Sequence, residues 1–166
     1  DVLCGMLDEA VSDAVISLNE MRETEGLTVK ADFERLIDNI RVHLDMIKQR
    51  APFVIDEYRV KLTKRIEEYL CSVEVDQAKL INEVAFFADK ADINEEISRL
   101  DSHISQFTDV IESDGEAGRK LDFLAQEMNR EINTMGSKSA DIELLNHVVE
   151  MKNELEKIRE QIRNVE

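Results

Sequence analysis

Ile142-Glu143-Leu144-Leu145-Asn146-His147-Val148-Val149-Glu150-Met151-Lys152-Asn153-Glu154-Leu155-Glu156-Lys157-Ile158-Arg159-Glu160-Gln161-Ile162 decides the fold class. Its apolar positions Leu144, Val148, Met151, Leu155, Ile158 and Ile162, continued by Val165, are spaced 4, 3, 4, 3, 4 and 3. Such spacing keeps one apolar seam on one side of an α-helix, and the seam asks for a partner helix. The partner is a helix of the same chain or of a second copy; spacing alone leaves both open. Ser139 reads as the N-cap, with Asp141 and Glu143 favourable to the N-terminal dipole.

Working back from that helix, the same period recurs. Leu121, Leu124, Met128, Ile132 and Met135 predict a helix ending at Gly136. Ser113-Asp114-Gly115-Glu116-Ala117-Gly118 is the clearest loop. Before it, Ile93, Ile97, Leu100, Ile104, Phe107 and Ile111 form one face of a helix. Asp92 and Glu95 look like a capping box for that helix. Asp76 reads as the cap of a helix carrying Leu80, Ile81, Val84, Phe87 and Ala88. Between Val29 and Leu70 the apolar spacing runs through Phe33, Leu36, Ile37, Ile40, Leu44 and Ile47, meets Pro52, and resumes at Ile55, Tyr58, Leu62, Ile66, Tyr69 and Leu70. One long helix kinked at Pro52 is favoured over two helices meeting there, because no glycine or turn cluster precedes the proline. Leu3, Leu7, Ala10, Ala14, Leu18 and Met21 predict a first helix that stops at Gly26. No useful strand-like alternation appears. The expected fold is all-α: an elongated array of about six helices, with long antiparallel helices and a C-terminal heptad-like helix. Residues 1–75 are expected to form a long-helix connecting arm and residues 76–166 a C-terminal helical domain.

Composition agrees and excludes several functions. Charged residues at 35% are too many for a compact α/β enzyme of 166 residues but suit long exposed helices. A net charge of -16 repels phosphate backbones at long range, which disfavours a simple nucleic-acid-binding module. The chain has no glycine-rich phosphate loop and no run approaching a membrane span. Cys4 and Cys71 lie far apart without CxxC spacing and are expected as thiols in a reducing compartment. No signal peptide opens the chain, so the expected location is the cytoplasm. A start at Asp1, without methionine, fits a fragment or a processed form.

Two segments hold residues that can do chemistry. On a helix over 92–111, Glu96 and His103 are seven residues apart, two turns along one line at the apolar border. A carboxylate and an imidazole so placed can share a divalent metal or act as an acid/base pair on a phosphodiester. A solvated charged face with an ordinary histidine gives the same spacing. On the 118–135 helix, Glu127 and Glu131 are one turn apart, as two carboxylates must be to reach one hard cation. Arg119, Lys120 and Arg130 lie on or beside that line, where they can hold phosphate and offset transition-state charge. Surface salt bridges at i,i+4 produce the same pattern. Ser137-Lys138-Ser139, at a helix start, reads as a weak phosphate cradle. Residues 41–65 hold seven basic and three acidic residues with Phe53 and Tyr58 among them, suited either to tracking an RNA strand or to pairing with acidic helices. His43 and His147 have no partners at ligand spacing and are expected at the surface or the core edge.

The strings around these residues add a resemblance. Asp92-Ile93-Asn94-Glu95-Glu96-Ile97-Ser98-Arg99-Leu100-Asp101-Ser102-His103-Ile104-Ser105-Gln106-Phe107 resembles the "EE..RL.SH..QF" helix of the YicC/YloC family. The segment from Gly118 to Ser139, GRKLDFLAQEMNREINTMGSKS, resembles that family's "GRKLDFL.QE.NRE.NT.GSKS" signature. Arg22 to Gly26 and Ala51-Pro52 are similar to its middle region. The resemblance implies the helical C-terminal half of a bacterial, metal-dependent endoribonuclease that assembles as a homo-oligomer, a hexamer, in the full-length protein. It also implies an N-terminal β-rich domain that this sequence does not contain. Physical roles laid on the matched positions give His103, Glu96 and Glu127 as catalytic residues and Glu127, Glu131 and Asp122 as ligands of Mn²⁺ or Mg²⁺. Arg99, Arg119, Lys120, Arg130 and Lys138 are expected to contact the RNA substrate; neither DNA nor membrane is an expected partner. A helical oligomerisation scaffold, or an RNA-binding module that does not cut, is the alternative.

Overall fold

The computed structural model describes residues 2–70, 77–113 and 117–163. Among these residues the chain is all-helical, with five helices and no strand: α1 (Val2–Leu70), α2 (Gln77–Ala91), α3 (Asn94–Glu112), α4 (Gly118–Lys138) and α5 (Ile142–Ile162). The expected six become five because α1 does not stop at Gly26. Gly26 stays helical with open space around its Cα. Thr24 and Thr28 flank it and donate their hydroxyls to the carbonyls of Glu20 and Thr24, which satisfies the preceding turns locally. The helix also runs through Pro52, as the favoured long-helix reading predicts. The Cys71 thiol, the Asp76 cap, the Asp114-Gly115-Glu116 loop and Val165 lie outside the described residues, as do the side chains of Leu3, Cys4, Tyr69 and Leu70.

Two compact units divide the chain at 35/36, inside α1. In the first unit, Met6, Leu7, Val11, Val15, Ile16, Leu18 and Met21 each leave half or more of their surface exposed. In the second, Leu36, Ile37, Ile40, Leu44 and Ile47 are at most 1% exposed, so this part of α1 belongs to the same core as α3, α4 and α5.

That core is a four-helix assembly with antiparallel neighbours. Residue pairs across each seam run in opposite order. Arg41 meets Thr108 and Lys48 meets Asp101 between α1 and α3. Asn39 meets Glu154, His43 meets His147 and Arg50 meets Asp141 between α1 and α5. The heptad seam of α5 is buried within the chain from Leu144 to Ile162, so its partners are the chain's own helices. His43 and His147 sit part-buried at the α1–α5 seam with their Nδ1 atoms 3.1 Å apart. Tyr58 stacks on Phe87, tying α1 to α2 with ring centroids 3.7 Å apart. Ile81, expected on the apolar face of α2, is 65% exposed.

Two caps differ from expectation. Asp141, not Ser139, is the N-cap of α5, and its carboxylate accepts from the Leu144 N–H. Ser139 ends α4 instead, and its hydroxyl accepts from the Asp141 N–H. At the start of α3, Asp92 accepts from the Asn94 N–H, and Ile93 occupies the cap position without a side-chain bond. Arg50 pins the α5 cap to α1: it grips Glu57 in a two-point ion pair at 2.6 and 2.7 Å and reaches Asp141 at 2.7 Å. Glu57 first and Asp141 second raise the guanidinium pKa, and Arg50 in turn holds both carboxyls below the usual carboxylate range.

Candidate metal centre on the α3–α4 hairpin

The apolar faces of α3 and α4 close on each other through Leu100, Ile104 and Phe107 on one side and Leu121, Leu124, Met128 and Ile132 on the other, all 5% exposed or less. The residues bordering that seam are therefore fixed by packing. His103 adjoins Ile104, and Glu127 and Glu131 adjoin Met128 and Ile132. On α4 the two carboxylates are one turn apart; on α3 the imidazole faces them across the seam. One ligand atom from each of His103, Glu127 and Glu131 lies within 4.8 Å of the other two.

The electrostatics of this group are unbalanced. The Glu131 side chain is 5% exposed, yet its ion-pair partner Arg99 stands 3.8 Å away, too far for a hydrogen bond. Arg130 reaches Glu127 only at 3.9 Å. The His103 Nδ1 is buried and has no hydrogen-bond partner among the described residues. A buried carboxylate and a buried ring nitrogen each lose several favourable contacts with water unless something replaces them. One imidazole and two carboxylates make a mixed nitrogen/oxygen donor set, which suits a first-row divalent cation better than the all-oxygen shells preferred by Mg²⁺. The residues present fit such a cation.

Of the other sequence-selected residues, Arg99 and Arg130 reach the cluster through the long contacts above, and the rest fall elsewhere. Glu96, buried beside α4, pairs with Lys138 at 2.7 Å, and Lys138 also donates to the Asp92 carbonyl. These two groups therefore close the far end of the α3–α4 seam, seven residues and two turns from His103. Asp122 is exposed, accepts from Gln126, and is not among the three grouped donors. Arg99 bonds Glu95 on its own helix. Arg119, Lys120 and Arg130 are exposed on α4. Within 41–65, Arg41, Lys48 and Arg50 all pair with carboxylates, and Asp101 is the first cause of the raised Lys48 pKa.

Residues 47–166 match the model of a family described as endoribonuclease YicC-like, C-terminal. The chain belongs to this family. It is similar to a probable endoribonuclease YicC of Clostridioides difficile (strain 630), with 50% identity over the whole of this chain and 57% of the relative. It is also similar to a probable endoribonuclease YicC of Haemophilus influenzae (strain ATCC 51907 / DSM 11121 / KW20 / Rd), with 33% identity over the same shares. The chain thus spans a little over half the length of these YicC relatives.

Within this YicC-like domain, two neighbours of the cluster received no role from sequence spacing, although it placed both beside the candidate lines. Gln106 follows His103 by one turn on α3, and Phe123 precedes Glu127 by one turn on α4. Phe123 has the 3.6-residue spacing of an amphipathic border, and only its 61% exposure sets it apart from the core aromatics.

Proposed function

We propose that this chain carries the cutting site of a divalent-metal-dependent endoribonuclease, with His103, Glu127 and Glu131 as the ligand set. The observation that carries the reading is the convergence of these three donors within 4.8 Å on two packed helices, where His103 Nδ1 and Glu131 lack adequate partners. Family membership and the relatives' names support RNA as the substrate. A divalent cation held there supplies Lewis acidity toward the phosphoryl group and acidifies a water near it. Glu131, the more buried carboxylate, contributes fixed negative charge in a site of low dielectric, where that charge holds a cation strongly. Glu127, 30% exposed, stands at the solvent edge and can also accept a proton from an attacking water. Arg130, 70% exposed beside Glu127, is free to swing from its long contact to a scissile phosphate. Arg119 and Lys120, farther along α4, hold the neighbouring backbone.

Mn²⁺ is favoured over Mg²⁺ because of the imidazole. A cytoplasmic location and assembly of the full-length protein as a homo-oligomer belong to the same reading. Assembly is supported by the exposed apolar residues between Met6 and Leu27. Those residues equally favour a second reading, a helical scaffold without catalysis. The test is cleavage of an internally labelled structured RNA with Mn²⁺, Mg²⁺ or EDTA, by this chain and by the chain joined to the N-terminal region of its relatives. Each is assayed beside Glu127→Gln and His103→Ala. Cutting that needs Mn²⁺ and falls at least about a hundredfold in folded variants is expected, the size of a lost catalytic group. Undiminished cutting in both folded variants would remove His103 and Glu127 from the cutting site, and no cutting by either parent protein would transfer the case to the scaffold.

A further inference from the structure

One helical turn from the His103 cluster, toward the α3–α4 loop, the seam opens into a cavity of about 460 Å³. Gln106 and Asp109 line it from α3, and Arg119, Lys120 and Phe123 from α4. Phe123 leaves 61% of its surface exposed there, although it belongs to the apolar class the rest of the hairpin buries. Arg119 and Lys120 flank it, two adjacent cations in a chain of net charge -16. No ion pair involves either of them among the described residues.

We propose that this cavity is a nucleotide subsite: Phe123 stacks one unpaired base of a single-stranded RNA segment, while Arg119 and Lys120 hold the phosphates flanking it. The identity of the strand as RNA rests on the nuclease reading above. An exposed aromatic with flanking cations is the combination single-strand binders use, because every base has a π-face and every linkage a negative charge. Single-stranded segments are also where RNA can present an unstacked base. Gln106 lines the same cavity; its amide N–H donates to the Ser102 hydroxyl at 3.1 Å, and its carbonyl oxygen can accept from a base edge. Asp109 accepts from an exocyclic amine or a ribose 2′-hydroxyl. The subsite adjoins the cluster on both helices, since Gln106 follows His103 by three residues and Phe123 precedes Glu127 by four. That offset is one helical turn, about 5.4 Å, so a base held on Phe123 leaves a neighbouring linkage beside the donors. The enzyme then cuts next to an unpaired nucleotide.

The test is binding of a fluorescein-labelled single-stranded oligoribonucleotide in EDTA, followed by anisotropy, with the parent chain, Phe123→Ala, Phe123→Trp and Lys120→Ala. The expected result is a loss of about tenfold in affinity for Phe123→Ala, within the range one stacked base provides. Phe123→Trp should restore binding. The salt dependence should stay unchanged in Phe123→Ala but flatten by about one ion in Lys120→Ala. Equal binding by parent and Phe123→Ala, failure of Trp to rescue, or no binding by the parent overturns the proposal. A change in molar mass of Phe123→Ala by light scattering also overturns it, since a second copy of the chain would then cover the ring. Phe123-dependent binding without cleavage keeps the subsite and removes the nuclease. Cleavage without Phe123 dependence does the reverse.

Discussion

Glu131 is where stability and activity pull in opposite directions. Its carboxylate is almost wholly buried and, among the described residues, is paired at long range with Arg99. Burying an ion without close compensation is unfavourable, so the neutral isostere relieves the fold. In EDTA, Glu131→Gln is expected to raise stability by about 1 kcal/mol, or roughly 2–4 °C in Tm for a chain of this size. Saturating Mn²⁺ should stabilise the parent by about 3 kcal/mol at a hundred times its Kd and leave the variant unmoved. Calorimetry of both proteins with and without Mn²⁺ checks this; a less stable Glu131→Gln in EDTA would mean that the carboxylate is a structural partner of Arg99. Spacing put Glu127 and Glu131 on one helix face wherever the helix packs, but surface salt bridges give the same spacing, and it was the family signature that singled the pair out. Glu96 and His103 looked equally matched along α3. Which of them meets the α4 carboxylates depends on how the hairpin is registered, and that register gives Glu96 to Lys138. The contact of His43 with His147 was illegible for a similar reason: 104 residues separate them.

At the scale of helices, two contacts set how α5 docks. Gly136 lies in α4 where a Cβ would come within 3.1 Å of Val148 Cγ1, and Val148 is 2% exposed. Alanine there gains about 0.5–1 kcal/mol in helix propensity, but overpacking a filled core costs about 1–3 kcal/mol. Gly136→Ala should therefore lower stability by about 1 kcal/mol in urea titrations. In a double-mutant cycle with Val148→Ala the two changes should couple favourably. The sequence suggested Gly136 as a helix terminator; its use as a close-approach point needs the neighbouring helix to be seen. Asp141 is the second contact. Arg50 first, then the Leu144 N–H, depresses its folded pKa below the unfolded value of about 3.9. Its contribution is then present above the unfolded pKa and is lost as pH falls through the folded one. Acid titration of stability should show this loss below about pH 4. Asp141→Asn, which still caps, should flatten that part of the curve while lowering stability at pH 7. An unchanged acid limb in the variant would remove the Arg50 clamp from the account.

For the whole molecule, the all-α class was legible because apolar residues recur at 3 and 4 throughout; the core of α3, α4 and α5 follows that period except that Ile111 is only half-buried and Ala125 joins the core outside the seam. The helix count was not, because a lone glycine signals a stop only when the chain turns there. Threonines on both sides of Gly26 returned their bonds to the preceding turn, and the helix continued. Residues 36–47 look like the rest of α1 until α3 and α5 bury them. The central claim joins a fold, a donor cluster and a reaction, and one measurement reaches all three. Mn²⁺ bound and RNA cut should be quantified on the same samples, with the parent beside His103→Ala, Glu127→Gln and Glu131→Gln, in the chain and in its extension by the relatives' N-terminal region. The account predicts that bound Mn²⁺ and cleavage rise together in the parent and are lost together in all three folded variants. Cleavage that persists in EDTA, or in variants that no longer bind Mn²⁺, would contradict it.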